Sequence, residues 1–171
     1  MISVPDPIER GHLRTSGLLR LYADVVEELR RRKVTRSANN PVADYTEYLV
    51  AAALGLQPVT KSTTGYDAVD SDGNRYEIKG RRLTPQNPSR QLSAIRGLDK
   101  THFAFLVGVL FNPDFTVHRG CVVPYSVVLG KAVYRKHPNA WILLLHDEVW
   151  GLAGVRDVTQ QLQLVQSQGD A

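Results

Sequence analysis

Residues 63–82 read TTGYDAVDSDGNRYEIKGRR, and the fold turns on how this stretch bends. Residues of alternating character flank Ser71-Asp72-Gly73, which predicts a β-hairpin. A three-residue loop, a type I turn closed by a left-handed residue, puts Gly73 where φ must be positive. It pairs Asp70 with Asn74, Val69 with Arg75, Ala68 with Tyr76 and Asp67 with Glu77. Opposed residues share a face, as do residues two apart on one strand. Asp67, Glu77 and Lys79 then point one way, while Tyr66, Ala68, Tyr76 and Ile78 point toward a core. A two-residue Asp72-Gly73 turn places Asp67 opposite Ile78 instead and sends the two acids to opposite faces. The longer loop is favoured because it sorts apolar from charged side chains.

Carboxylates opposed across a strand pair have Cβ atoms roughly 5 Å apart and repel when both are ionised. A cation between them removes the conflict, and hard oxygen ligands with open water positions suit Mg²⁺. Lys79 adds a positive charge beside such an ion, where it meets a phosphate or positions a water. The competing reading is a solvated hairpin whose Glu77 and Lys79 form an ordinary ion pair.

Asp67, nine intervening residues, then Glu77-Ile78-Lys79 resembles the PD-(D/E)xK nuclease superfamily, which includes restriction endonucleases and junction resolvases. The resemblance implies that Asp67 and Glu77 bind the metal, with the backbone carbonyl of Ile78 as a further ligand. It implies that Lys79 assists the attacking water, and that Mn²⁺ substitutes for Mg²⁺. Tyr66 stands where the superfamily pattern has proline. In several branches a helix before the hairpin supplies another acidic ligand. Glu47, on a predicted helix beside apolar positions, resembles that ligand, and Asp44 three residues earlier shares its face. The resemblance covers residues 39–82 in detail. It implies a restriction-endonuclease-like α/β fold: a mixed central sheet flanked by helices.

The chain of 171 residues has the size of one domain, with 43% apolar and 22% charged residues, as expected of a globular protein. A net charge of +4 and a pI of about 9.3 are compatible with a polyanionic partner. The single Cys121, in an apolar setting, excludes an internal disulfide framework and a cysteine zinc cluster. The first residues are polar and proline-bearing, and no apolar run approaches the roughly 20 residues that span a bilayer. A cytoplasmic protein without membrane partner or organic cofactor is expected.

Residues 1–14 read as an irregular arm and 15–171 as one domain. A helix is predicted from Thr15 or Ser16 to about Arg32, burying Leu18, Leu19, Tyr22, Val25, Val26 and Leu29. Asn40-Pro41 starts a second helix, which ends at Gly55. A first strand is expected over 57–61, a buried strand over 103–111 and its partner over 115–123. A helix follows from Tyr125 to about Tyr134, then a strand over 141–145. A last helix is expected from Asp157, using Val158, Leu162 and Val165, with its glutamine-rich end from about residue 160 fraying. Lys61, Arg81, Arg82, Arg90, Gln91 and Arg96 are the candidates for contact with a DNA backbone. The leading expectation is a Mg²⁺-dependent deoxyribonuclease, with a homodimer suited to cutting two strands. The alternatives are a nuclease-like fold that binds nucleic acid without catalysis, and an interaction module with an incidental charged hairpin.

Overall fold

The structure, a computed structural model, describes residues 11–60 and 65–169. In chain order the elements are α1 (Thr15–Arg31), α2 (Val42–Leu54), β1 (Gln57–Pro58), β2 (Ala68–Val69), β3 (Arg75–Arg82), β4 (Phe105–Phe111) and β5 (Val117–Pro124). There follow α3 (Tyr125–Lys131), β6 (Val133–Arg135), β7 (Ala140–Ile142), β8 (Arg156–Asp157) and α4 (Thr159–Ser167). Six strands form one mixed sheet in the order β1-β2-β3-β4-β5-β8, and β6 pairs with β7 in a small second sheet. Among the described strands of this sheet only β3 and β4 run parallel; the other pairs are antiparallel. The protein is therefore α/β, with a mixed central sheet and helices on both faces.

Residues of β4 are buried on both sides, as a continuous apolar run requires. Val107, Val109 and Phe111 face Leu49 and Val50 of α2 and Leu162 of α4. Leu106 and Leu110 face Leu92, Ile95, Leu98, Leu143, Leu145 and Val128 of α3. Cys121 is fully buried among the second group.

From Ala68 to Asn74 the hairpin folds in the expected register, but the expected Asp67–Glu77 pair does not form. Pairing stops at Ala68, and Asp67 turns along the edge of the strand, its N–H on the Tyr76 carbonyl and its carboxylate on the Ile78 N–H. Ala68 opposes Tyr76 and Val69 opposes Arg75. The loop closes through Gly73 N–H donating to the Asp70 carbonyl at 3.1 Å, and Gly73 has φ +81°. Asp70 reinforces it by accepting the N–H groups of Asp72 and Asn74 on Oδ1. The second helix starts at Val42 with Pro41, not Asn40, at its cap position, and Asn40 Oδ1 still accepts the Val42 N–H at 3.1 Å.

Several expectations are corrected. Helix α1 forms where predicted, but Arg14 rather than Thr15 or Ser16 occupies its cap position, and it has no buried residue. Leu18, Leu19, Tyr22 and Val25 are exposed, because among the described residues no other element packs extensively on that face. Tyr66 packs with the second core group rather than with Ala68, because the strand alternation breaks at Asp67. Strand β1 covers only two residues. The predicted helix after Pro124 stops at Lys131, and Val133 instead begins a strand that pairs with β7.

The tail does not fray. Thr159–Ser167 is helical and Leu162 is fully buried. Its glutamines bridge to neighbouring backbone: Gln166 accepts the Val117 N–H on Oε1 and donates through Nε2 to the Phe115 carbonyl and the Tyr45 hydroxyl. Gln163 donates to the Val117 carbonyl. Among the described residues no helix is long and apolar enough to cross a membrane.

Candidate active site

The site grows from a mismatch in strand length. Strand β3 pairs with β4 from Tyr76 to Arg82, but with β2 only at Arg75 and Tyr76. Beyond Tyr76 its other edge has no strand partner among the described residues. Asp67, just outside β2, occupies the start of that edge. Its N–H donates to the Tyr76 carbonyl at 2.7 Å, and its Oδ2 accepts the Ile78 N–H at 2.7 Å. The carboxylate thus takes the place of a strand. In extended backbone the C=O of a residue lies on the same edge as its N–H, so the Ile78 carbonyl also faces this opening.

Alternation puts Glu77 and Lys79 on the face of Leu106 and Gly108, away from α2. Lys79 Nζ lies 2.5 Å from Glu77 Oε1. Glu77 is 9% exposed. Burial pushes its carboxyl above the ordinary range; Lys79 opposes that push, the Asp67 charge adds to it, and His102 opposes it weakly.

Glu47 approaches the same edge from the other face. It and Asp67 line a hollow of about 290 Å³ together with Arg36, Asp44 and Tyr66. It also lines an adjoining cleft of about 450 Å³ with Ile78, Lys79 and Gly80. Arg36 holds Glu47 in a close ion pair. Asp44 Oδ2 accepts the Arg36 N–H at 2.7 Å and the Ser37 N–H at 3.0 Å, pinning the preceding loop. This helix approaches β3 closely because Gly80 has no side chain: a Cβ there would lie 1.9 Å from Thr46 Oγ1.

The structure therefore brings Asp67, Glu77, Ile78, Lys79 and Glu47 to one open edge. Four carboxylates there, Asp44, Glu47, Asp67 and Glu77, face two cations, Arg36 and Lys79. Among the described residues no three His, Cys, Asp or Glu side chains converge to cage a metal ion. The donor chemistry fits a hard divalent ion held by two carboxylates and a carbonyl, with water completing its shell. A closed protein cage is not what these residues offer.

The predicted DNA contacts do not form one surface. Arg81 and Arg82 line the larger cleft. Arg81 donates to Asn87 Oδ1 and the Ser89 carbonyl, and Arg82 donates to the Pro113 carbonyl and covers the Phe115 ring. Arg90 pairs with Asp147 at 2.7 Å, which Arg119 also holds. Gln91 is exposed, and its backbone bridges to Leu144. Arg96 is exposed at the rim of a separate cleft of about 630 Å³, with Lys100, Tyr134 and Trp141. Lys61 lies outside the described residues.

Sequence reasoning missed Arg36, which stood in a polar link without periodicity. The three-residue spacing of Asp44 and Glu47 was the available signal, since both acids turn to that one guanidinium. Compared with models of known protein families and with curated proteins, the chain matches none.

Proposed function

We propose that this protein is a metal-dependent deoxyribonuclease of the restriction-endonuclease-like kind, hydrolysing phosphodiester bonds at the open edge of β3. The observation that carries the reading is the Asp67 carboxylate seated on the Ile78 N–H, beside a buried Glu77 paired with Lys79. Asp67 and Glu77, with the Ile78 carbonyl, are the groups that would hold Mg²⁺ or Mn²⁺. Such an ion, when bound, would supply positive charge against the phosphate and favour deprotonation of the attacking water. Lys79 keeps an ammonium at the mouth of the cleft, where it orients that water or a phosphate oxygen. Glu47 and Arg36 close the opposite wall, and release of Glu47 from Arg36 would offer a third carboxylate. The hairpin, the mixed sheet and the helix bearing Glu47 support the fold assignment.

Cleavage of duplex and single-stranded DNA in Mg²⁺ or Mn²⁺ tests this. Asp67→Ala, Glu77→Ala and Lys79→Ala should each lower the rate by about 100-fold or more. DNA affinity should remain, since the exposed cations Arg96 and Lys100 lie outside this edge and are untouched. Variants that cut at the wild-type rate would overturn the assignment. A second reading is favoured by the two ion pairs, which satisfy the acids without a metal: a nuclease-like fold that binds nucleic acid and does not cut it. In that case Mg²⁺ leaves the melting temperature unchanged.

A further inference from the structure

Helix α1 presents an unusual surface for a 17-residue helix: none of its residues is buried. Leu13, just before it, and Leu18, Leu19, Tyr22 and Val25 on it are 43, 43, 64, 57 and 49% exposed. The arrangement is ordered by sevens. With Tyr22 and Leu29 at position a and Leu18 and Val25 at position d, Leu19 and Val26 fall at e and Leu21 at g. Arg20, Asp24, Glu27, Arg30 and Arg31 all fall at b, c or f, the outer face. Glu27 and Glu28 are already paired with Arg30, Arg31 and Arg32 within the helix. The charges on the seam, Glu28 at g and Arg32 at d just past the helix, are paired with one another at 2.8 Å, so the apolar stretch from Leu18 to Leu29 carries no charge that needs a partner. This is the division of residues that a helix shows when it packs along another helix.

We propose that this seam is the interface between two copies of the chain, joined through antiparallel α1 helices. The exposed side chains present on the order of 500 Å² of apolar surface per copy, near the upper limit for an uncovered patch on a monomer. Two such faces together reach the roughly 1,000 Å² at which a specific interface becomes stable. Direction follows from charge. Parallel helices would set Arg30, Arg31, Arg32 and Lys33 of both copies side by side. Antiparallel pairing sends these clusters to opposite ends, where each meets Thr15, Ser16 and Gly17 and the single Arg14 of the partner instead of four basic residues, and opposes the helix dipoles favourably. Leu18 then faces Leu29 of the other copy, and Tyr22 faces Val25. The pairing does not depend on hydrolytic activity.

Sedimentation velocity of the full chain over about 1–100 μM tests it, the range in which a modest apolar interface dissociates. The expected result is a reversible dimer. Leu19→Glu and Tyr22→Glu should raise the dissociation constant by about 10-fold or more while leaving the circular dichroism of the folded chain unchanged. Orientation is read by disulfide trapping. Leu18→Cys protein mixed with Leu29→Cys protein should cross-link, and neither alone should. Cys121 does not interfere, since burial pushes its thiol up to about 12. A monomer throughout the range overturns the proposal, as does a dimer indifferent to Tyr22→Glu. Cross-linking of Leu18→Cys with itself overturns the antiparallel arrangement. Flotation of a monomer with anionic vesicles would assign the seam to a lipid surface and overturn it too.

Discussion

Glu77 sits where its charge is unwelcome, and that sets a pH dependence. Its folded value lies above the unfolded one, chiefly through burial, so the fold favours the protonated acid. The stabilising contribution is complete below the unfolded value and is lost as pH rises through the folded value. Glu77→Gln keeps the shape, and its amide oxygen still accepts a hydrogen bond from Lys79, but it removes the buried charge. The variant should therefore melt at a higher temperature than wild type at pH 7, and the gap should close as pH falls to about 4. A Glu77→Gln protein that melts lower at pH 7 would show that the Lys79 pair outweighs the burial. Added Mg²⁺ should raise the wild-type melting temperature and not that of Glu77→Gln, because only the carboxylate draws a divalent ion. A residue whose replacement stabilises the fold while removing the proposed activity is the trade expected of a site and not of a core position.

Between elements, the decisive contact is the passage of α2 over β3. Any side chain at Gly80 meets Thr46 Oγ1, whose hydroxyl donates to the Val42 carbonyl at 2.5 Å. Gly80→Ala should cost about 1–3 kcal/mol, the range for overpacking, with a fall in melting temperature of about 2–4 °C per kcal/mol. Thr46→Ala removes the obstructing hydroxyl, so the double variant should regain most of the loss in urea denaturation. If it regains nothing, the two residues do not share the contact. The same helix carries Glu47, so Gly80→Ala should also disturb the cleft. This approach was invisible in the sequence: a glycine at the end of an active-strand motif reads as a turn or as nothing. The hairpin was legible because Ser71-Asp72-Gly73 admits few backbone paths and the wrong register would bury charge. What failed were the elements held by long-range partners. Strand β8 covers only Arg156 and Asp157, too few to show a period, and exists because it pairs with Cys121 and Val122. Helix α4 was legible in Val158, Leu162 and Val165, which pack as their spacing predicts, but its glutamine-rich end was expected to fray because its adhesion comes from glutamine amides bonded to backbone, which no hydrophobic pattern reports. In α1 the pattern was read correctly and its meaning was not, since periodicity shows that a face wants covering and not by what.

Over the whole molecule, the excess of positive charge is less available than the count of basic residues suggests. Arg81 and Arg82 are bonded to loop acceptors, and Arg90 is paired with Asp147, whose carboxyl it and Arg119 hold below the ordinary range. Arginines so engaged are poor donors to phosphate unless those bonds break. Arg96 and Lys100 stand exposed at the rim of the aromatic cleft, where a polyanion can reach them. Each phosphate neutralised by a protein cation contributes about 0.9 to the logarithmic dependence of duplex affinity on salt. Arg96→Ala should therefore lower that slope by about 1, across sequences alike. Arg90→Ala should leave the slope unchanged, because the guanidinium it removes already has a carboxylate partner. Fluorescence anisotropy of a labelled duplex in EDTA, measured across a salt series, separates binding from cleavage. Equal slopes for wild type and Arg96→Ala would place the nucleic acid elsewhere. A lowered slope for Arg90→Ala would mean that the Asp147 pair opens on binding, making that arginine a contact the free protein conceals.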